Sequence, residues 1–142
     1  MAIQQAVCNS FKQQILEGQH QFESGGDEFK LALYTSAANL SAATTVYSAT
    51  SEVPNSGEYS AGGGILQSQQ TSLDTGVAIV DFADLSFTGV TLTARGALIY
   101  NTSESNKAVC VLDFGSDKTA TSGTFTIQFP AFTSSAAILR IA

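Results

Sequence analysis

The feature that most constrains this chain is a series of short apolar runs separated by linkers too short to hold a helix. In the first run, at about 28–35, apolar side chains recur at every second position, as in a half-buried strand. Further strand-like runs lie at 65–71, 77–82, 85–87, 90–100, 107–114, 124–129 and 137–142. Parallel strands need crossovers of about a dozen residues or more, so these linkers favour antiparallel pairing. The pattern predicts a mainly β fold, an antiparallel β-sandwich or barrel-like sheet.

The N-terminal segment has a helical pattern instead. Apolar side chains recur there at four-residue spacing, at Ile3, Val7, Phe11 and Ile15. This stripe predicts one N-terminal amphipathic helix at about 3–17, and Gly18 is well placed to end it. Asn9 and Ser10 offer an alternative start, because either could cap a shorter helix that begins near Phe11.

Between these elements and the later strands, the segment 36–64 is rich in Ala, Ser, Thr and Gly. This composition predicts a long surface loop, with a short helix near 44–47. Long loops in compact domains are often functional, so Tyr34, Tyr47 and Tyr59, together with Phe11 in the helix, are candidates for an interface. The alternative is that the tyrosines cover the edge of the core.

The runs 95–100 and 107–114 are joined by a polar segment and predict a hairpin. Both faces of 107–114 are largely apolar, so we expect a central strand covered on both sides. The segment 115–118 then reads as the turn that ends this strand. Cys8 and Cys110 are the only cysteines, and their spacing fits neither a disulfide framework nor a zinc site. We expect both to be free, reduced and buried.

Composition narrows the class of protein. The 142 residues are 44% hydrophobic and 13% charged, which argues against intrinsic disorder and a coiled coil and favours a single domain over 1–142. Six Lys and Arg stand against twelve Asp and Glu, and the net charge of −6 disfavours nucleic acid or an anionic membrane as a partner. The first residues lack the pattern of a secretion signal, so we expect no export by that route.

Groups for catalysis are scarce. His20 is the one imidazole, and a Cys8–His20 nucleophile is disfavoured against a solvated or helix-capping histidine. Asp81 and Asp84 could act as paired carboxylates in a glycan hydrolase or as calcium ligands, but their spacing is more typical of a turn. We therefore expect no enzyme, no cofactor and no metal.

Two arginines lie within apolar runs, where a charge must reach solvent or be paired. For Arg95 the expected partner is Asp81 or Asp113, and Arg140 raises the same question near the C-terminus. We expect structural or intersubunit salt bridges at these positions rather than a ligand site.

Several segments also suggest a family. They are 29–36 (FKLALYTS), 94–101 (ARGALIYN), 107–109 with 113–118 (KAV and DFGSDK) and 125–130 (FTIQFP). Together, and in this order, they resemble the small virion structural proteins of tailed bacteriophages. The resemblance spans most of the chain and brings no catalytic residue with it.

The resemblance implies a non-enzymatic part of a virion that is assembled in the host cytoplasm. A compact, acidic, β-rich domain suits a capsid decoration or cement protein that binds the major capsid protein from outside. Such a protein would act as a trimer or another small homo-oligomer, because repeated contacts give avidity. The alternative is a neck or tail-associated adaptor or tip, whose exposed aromatic side chains, such as Tyr47 and Tyr59, could contact a host surface.

Overall fold

The computed structural model describes residues 2–141, and within that range the chain forms two antiparallel sheets and one α-helix. The elements are β1 (Ala6–Val7), α1 (Asn9–Leu16), β2 (Phe29–Tyr34), β3 (Gly64–Ile65), β4 (Gln70–Asp74), β5 (Val77–Asp81), β6 (Leu85–Asn101), β7 (Lys107–Ile127) and β8 (Leu139–Ile141). The last residue of the predicted run 137–142 lies outside the described range.

The strands divide into a large and a small sheet. The large sheet has the order β1-β7-β6-β2-β3, and the small one has the order β4-β5-β8. Every pair of neighbouring strands is antiparallel. The predicted fold class, a mainly β, sandwich-like arrangement of antiparallel sheets with one helix near the N-terminus, is confirmed.

The long hairpin of β6 and β7 dominates the large sheet. The runs predicted at 85–87 and 90–100 merge into β6, and those at 107–114 and 124–129 merge into β7. The turn predicted at 115–118 is wrong, since this segment is a bulge inside β7: between two successive ladder pairs, Ala94↔Lys118 and Gly96↔Asp113, β6 advances two positions and β7 five. A bulge lets extra residues loop out without ending the strand.

The bulges bend the hairpin back on itself. The rings of Phe114 and Phe125 are 6.2 Å apart although both belong to β7. Eleven residues of straight strand would span roughly 36 Å. Gly115, within the first bulge, has a φ of +81°, a conformation that glycine adopts without strain.

The core lies where β2, β6 and β7 run side by side. The residues Ala108, Val109, Cys110 and Val111 of β7 are all buried, as expected for a central strand covered on both faces. Both cysteines are free and buried, which confirms that prediction.

The helix is shorter than the predicted 3–17. It begins at Asn9, near the alternative start, and Gly18 follows its end with a φ of +72°. The apolar side chains before it belong to the sheet: Val7 lies in β1 opposite Cys110, and Ile3 bridges to Leu40. A four-residue spacing places these side chains on the core whether the chain is helical or extended, so the stripe alone could not fix the start.

The loop 36–64 differs from its prediction in two respects. No helix forms at 44–47; instead Val46 bridges to Lys107. The loop is also not a free surface excursion, because four of its hydrophobic side chains are buried in the core, those of Ala38, Leu40, Val53 and Tyr59. It serves as a cover over the large sheet.

Candidate functional site

The most concentrated polar cluster joins the loop 36–64 to the sheet around Glu52. This half-buried carboxylate accepts hydrogen bonds from the hydroxyls of Tyr47 at 2.5 Å and Tyr59 at 2.7 Å, and from the backbone N–H of Gly62 at 2.7 Å. The Tyr59 hydroxyl also accepts from the N–H of Leu33 at 2.7 Å. The carboxylate therefore ties parts of the loop to one another, and the Tyr59 hydroxyl fastens the loop to β2.

The other two tyrosines extend this cluster. The hydroxyl of Tyr34 donates to the carbonyl of Ser48, and that of Tyr100 donates to the carbonyl of Gly62, each at 2.6 Å. Tyr47 stacks on Tyr100 with ring centroids 4.7 Å apart. Burial raises the pKa of Tyr100 to about 12 and also raises the pKa of Tyr34. The hydroxyls thus stay protonated and act as hydrogen-bond donors.

Glycine makes the close approach of the loop possible. Gly62 and Gly63 have φ values of +97° and +85°. A Cβ at Gly63 would lie 1.8 Å from the carbonyl oxygen of Leu31, so no other residue fits there without moving the backbone.

A second polar network surrounds His20. The side chain was expected to be solvated or to cap the helix, but it is buried. Its Nε2 lies 2.9 Å from Oε1 of Gln14, and its Nδ1 lies 3.0 Å from Nδ2 of Asn101. The same Asn101 nitrogen donates to Asp27 at 2.8 Å, while Asn101 Oδ1 accepts from the N–H of Ser103 at 3.0 Å. Helix, loop and the turn after β6 are thereby joined.

These contacts fix the tautomer of His20. Asn101 Nδ2 is a donor in both of its contacts, so His20 Nδ1 accepts and Nε2 carries the proton to Gln14. Burial lowers the pKa of His20 to about 4 and raises the pKa of the Cys8 thiol to about 11. Because both His20 nitrogens are engaged by other side chains, the geometry does not assemble a Cys8–His20 nucleophile.

The acidic candidates have structural contacts. Asp84 Oδ1 accepts from the N–H of Phe129 at 2.9 Å, which matches the turn role expected for it. Asp81 ends β5 opposite Gln70. Among residues 2–141, no three His, Cys, Asp or Glu side chains are grouped to hold a metal ion.

Arg95 forms a salt bridge, but with a partner that sequence reasoning missed. Its Nε lies 2.9 Å from Oδ1 of Asp117, and the expected partners Asp81 and Asp113 are not used. The bulge in β7 places Asp117 beside Arg95. No sequence pattern predicted that bulge. Asp113 instead accepts from the N–H of Gly115 at 2.8 Å, and Arg140 donates to the carbonyl of Ser134 at 3.2 Å.

The interface candidates are mostly internal. Phe11, Tyr34 and Tyr59 are buried within the chain, and Tyr47 is half-buried against Tyr100. The aromatic side chains singled out from the sequence therefore pack mainly within the chain, and of the three buried ones only Phe11 reaches the lining of a groove.

The accessible apolar surface lies elsewhere. A groove of about 490 Å³ runs beside β7 and is lined by Phe114, Phe125 and Phe129. A second, of about 540 Å³, separates α1 from the small sheet, and its exposed lining includes Leu16 and Ile141. The sequence signal for this surface is weak, because Leu16 adjoins a helical stripe and Ile141 belongs to a short strand.

The comparisons with known proteins give no assignment. No protein-family model, curated protein or solved structure matches the chain. Within residues 2–141, no helix has the length and apolar character needed to cross a membrane. The resemblance to virion structural proteins stays a prediction.

Proposed function

We propose that the chain is a non-enzymatic structural protein of a tailed-bacteriophage virion. Its proposed role is that of a capsid decoration protein, which binds the major capsid protein on the outer shell as a small homo-oligomer after assembly in the host cytoplasm. The observation that carries the proposal is where the resembling segments lie. Residues 29–36 contain β2, 94–101 form the end of β6, and 107–109 begin β7. The other two segments are 113–118, which form the bulge of β7, and 125–130, which include its end. Three of the five resembling segments thus lie in the strands that build the core.

The use of the polar groups supports a binding role. Glu52, His20 and Asp84 hold parts of the chain together through hydrogen bonds. The surfaces left open are two apolar grooves and the outer edges of strands, which are the features that proteins use to contact other proteins.

The proposal is tested by counting copies of this polypeptide in purified particles. Quantitative mass spectrometry against the major capsid protein should give hundreds of copies per particle if the chain decorates the shell, because a shell offers many equivalent sites. A count of about a dozen or fewer would contradict decoration and indicate a neck or tail protein. Absence from the particle would overturn both.

The rival hydrolase is tested on the two aspartates. Asp81→Asn and Asp84→Asn keep the side-chain shape, so both variants should assemble normally, and the wild type should leave glycan substrates uncleaved. Cleavage by the wild type that is lost in both variants would refute the structural role.

A further inference from the structure

The outer edge of β4 is a regular strand edge with no strand beside it. In the small sheet β4 pairs with β5 on one side, and no strand among residues 2–141 pairs with its other side. Four of its five residues are exposed, and Leu73 is 72% exposed. An exposed edge of this kind presents backbone donors and acceptors that can pair with another strand.

The turn after β4 determines which backbone groups point outward. Asp74 and Val77 flank a two-residue loop in which Thr75 and Gly76 both have positive φ, as in a type I′ hairpin. The flanking pair of such a hairpin is hydrogen-bonded across the ladder, and the pattern alternates from there. The N–H and C=O groups of Thr71 and Leu73 therefore point away from β5.

The remaining edges are less suited to pairing. The outer strands of the large sheet, β1 and β3, are two residues long, and β8 is three residues long. The outer edge of β7 beyond Val111 is long, but bulges interrupt its ladder with β6. Bulges and very short strands are devices that discourage edge pairing, whereas β4 has neither a bulge, a proline nor a lysine.

The sequence of β4 is complementary to itself when two copies run antiparallel about Ser72. Thr71 then lies opposite Leu73 of the second copy, and their outward backbone groups match. Gln70 lies opposite Asp74 of the second copy, so an amide meets a carboxylate and no like charges face each other. Asp74 uses Oδ2 to accept from the N–H of Ser134 at 2.6 Å, which leaves Oδ1 for that amide.

We propose that two copies of this chain associate through their β4 strands, paired antiparallel about a two-fold axis at Ser72. The pairing joins the two small sheets into one sheet of six strands and places each exposed Leu73 side chain beside Thr71 of the other copy. This inference rests on the geometry of the strand edge and holds whether or not the chain belongs to a virion.

Disulfide trapping tests the register. In the proposed dimer the two Ser72 residues form a non-hydrogen-bonded pair with Cα atoms about 4.5 Å apart, which is within disulfide reach. Ser72→Cys should therefore form a covalent dimer under mild oxidation. In Gln70→Cys, the control, the new thiols lie about 13 Å apart along the strand and should not cross-link. Cys8 and Cys110 are buried and do not compete. No cross-link in Ser72→Cys, or equal cross-linking in both variants, would overturn the proposal.

Sedimentation tests the association without a covalent bond. The wild type should sediment at twice the chain mass of 14.8 kDa. Thr71→Pro removes an outward N–H and leaves the β5 ladder intact, so it should raise the dimer dissociation constant roughly ten- to a hundredfold. Thr71→Val keeps the N–H and should remain dimeric. Circular dichroism checks that each variant is folded. A monomeric or trimeric wild type, or a dimer that Thr71→Pro does not weaken, would contradict the proposal.

Discussion

The two halves of the β6–β7 hairpin differ in how their side chains are buried. In the inner half, 96–101 of β6 lies beside β2 and β7 and is buried at every position. In the outer half, 85–94 alternates between buried side chains and exposed ones. The inner half is a central part of the sheet, and the outer half is a two-stranded ribbon with one solvent-exposed face.

The difference shows in side-chain chemistry. On the solvent-exposed face of the outer half, the hydroxyl oxygens of Ser86 and Thr126 are 2.9 Å apart, and those of Thr93 and Thr119 are 3.0 Å apart. Three of the four irregularities in the ladder lie in this half or at its junction with the inner one, and the fourth lies between Ile99 and Tyr100, near the turn end of the inner half. The ladder of the inner half is continuous from Gly96 to Ile99, whereas the outer half, with one exposed face, is interrupted more often and can bend over the core.

The largest effect should come from a cavity in the inner half. Leu98→Ala removes a fully buried side chain between β2 and β7 and should cost about 4 kcal/mol of unfolding free energy. Leu92→Ala, the matched change in the outer half, should cost about 2 kcal/mol, because the bent ribbon can relax into the space. Urea denaturation measures both. An equal or larger cost at Leu92 would break the distinction between the halves.

Acid should lower the free energy of unfolding through His20, which contacts Asn101 at the end of β6. The pKa of His20 falls from its ordinary 6.5 to about 4 in the folded chain, so the unfolded chain binds the proton more readily. This contribution to stability is complete above pH 6.5 and is lost as the pH falls toward 4, by at most about 3 kcal/mol. The His20→Gln variant lacks the titration, so the difference between the two curves isolates it. Parallel curves would contradict the buried, neutral histidine.

Loss of the hydrogen bonds that fasten the loop 36–64 should have an intermediate effect on stability. Tyr59→Phe leaves the N–H of Leu33 without its acceptor and removes a donor from Glu52, so it should cost about 2 kcal/mol. Thermal unfolding measures the loss. Tyr47→Phe, which breaks one contact nearer to solvent, is the control and should cost less. A neutral Tyr59→Phe would show that the loop is not held by this cluster.

The smallest effect should come from the salt bridge across the bulge. Arg95 and Asp117 are 37% and 49% exposed at their side chains, so Arg95→Gln should cost no more than about 0.5 kcal/mol. Added salt should reduce even this difference between wild type and variant. A loss above about 2 kcal/mol would mean that the junction of the two halves depends on the ion pair.

Local periodicity was sufficient to predict the central strands of the large sheet. The alternation around Leu31 and the two apolar faces around Cys110 identified β2 and the first part of β7. Periodicity could not predict the bulges, because Gly115 is as typical of a turn that ends a strand as of a bulge within one.

The polar clusters were harder to foresee. Asn101 and His20 are 81 positions apart. The partners of Glu52 lie only 5 to 10 positions away, but in an irregular loop with no periodicity that predicts which side chains come together. A glutamate or histidine in a polar segment is usually solvated, and only the tertiary structure shows that these two are hydrogen-bonded to the core.

Amide hydrogen exchange on the isolated chain tests the contrast between the halves most directly. We predict that amides at 97–100 and 108–111 exchange only through global unfolding. Those of 118–127 that point away from β6 should exchange faster by orders of magnitude, since no strand covers them. Equal protection along the whole of β7 would contradict the account of a buried inner half and an open outer ribbon.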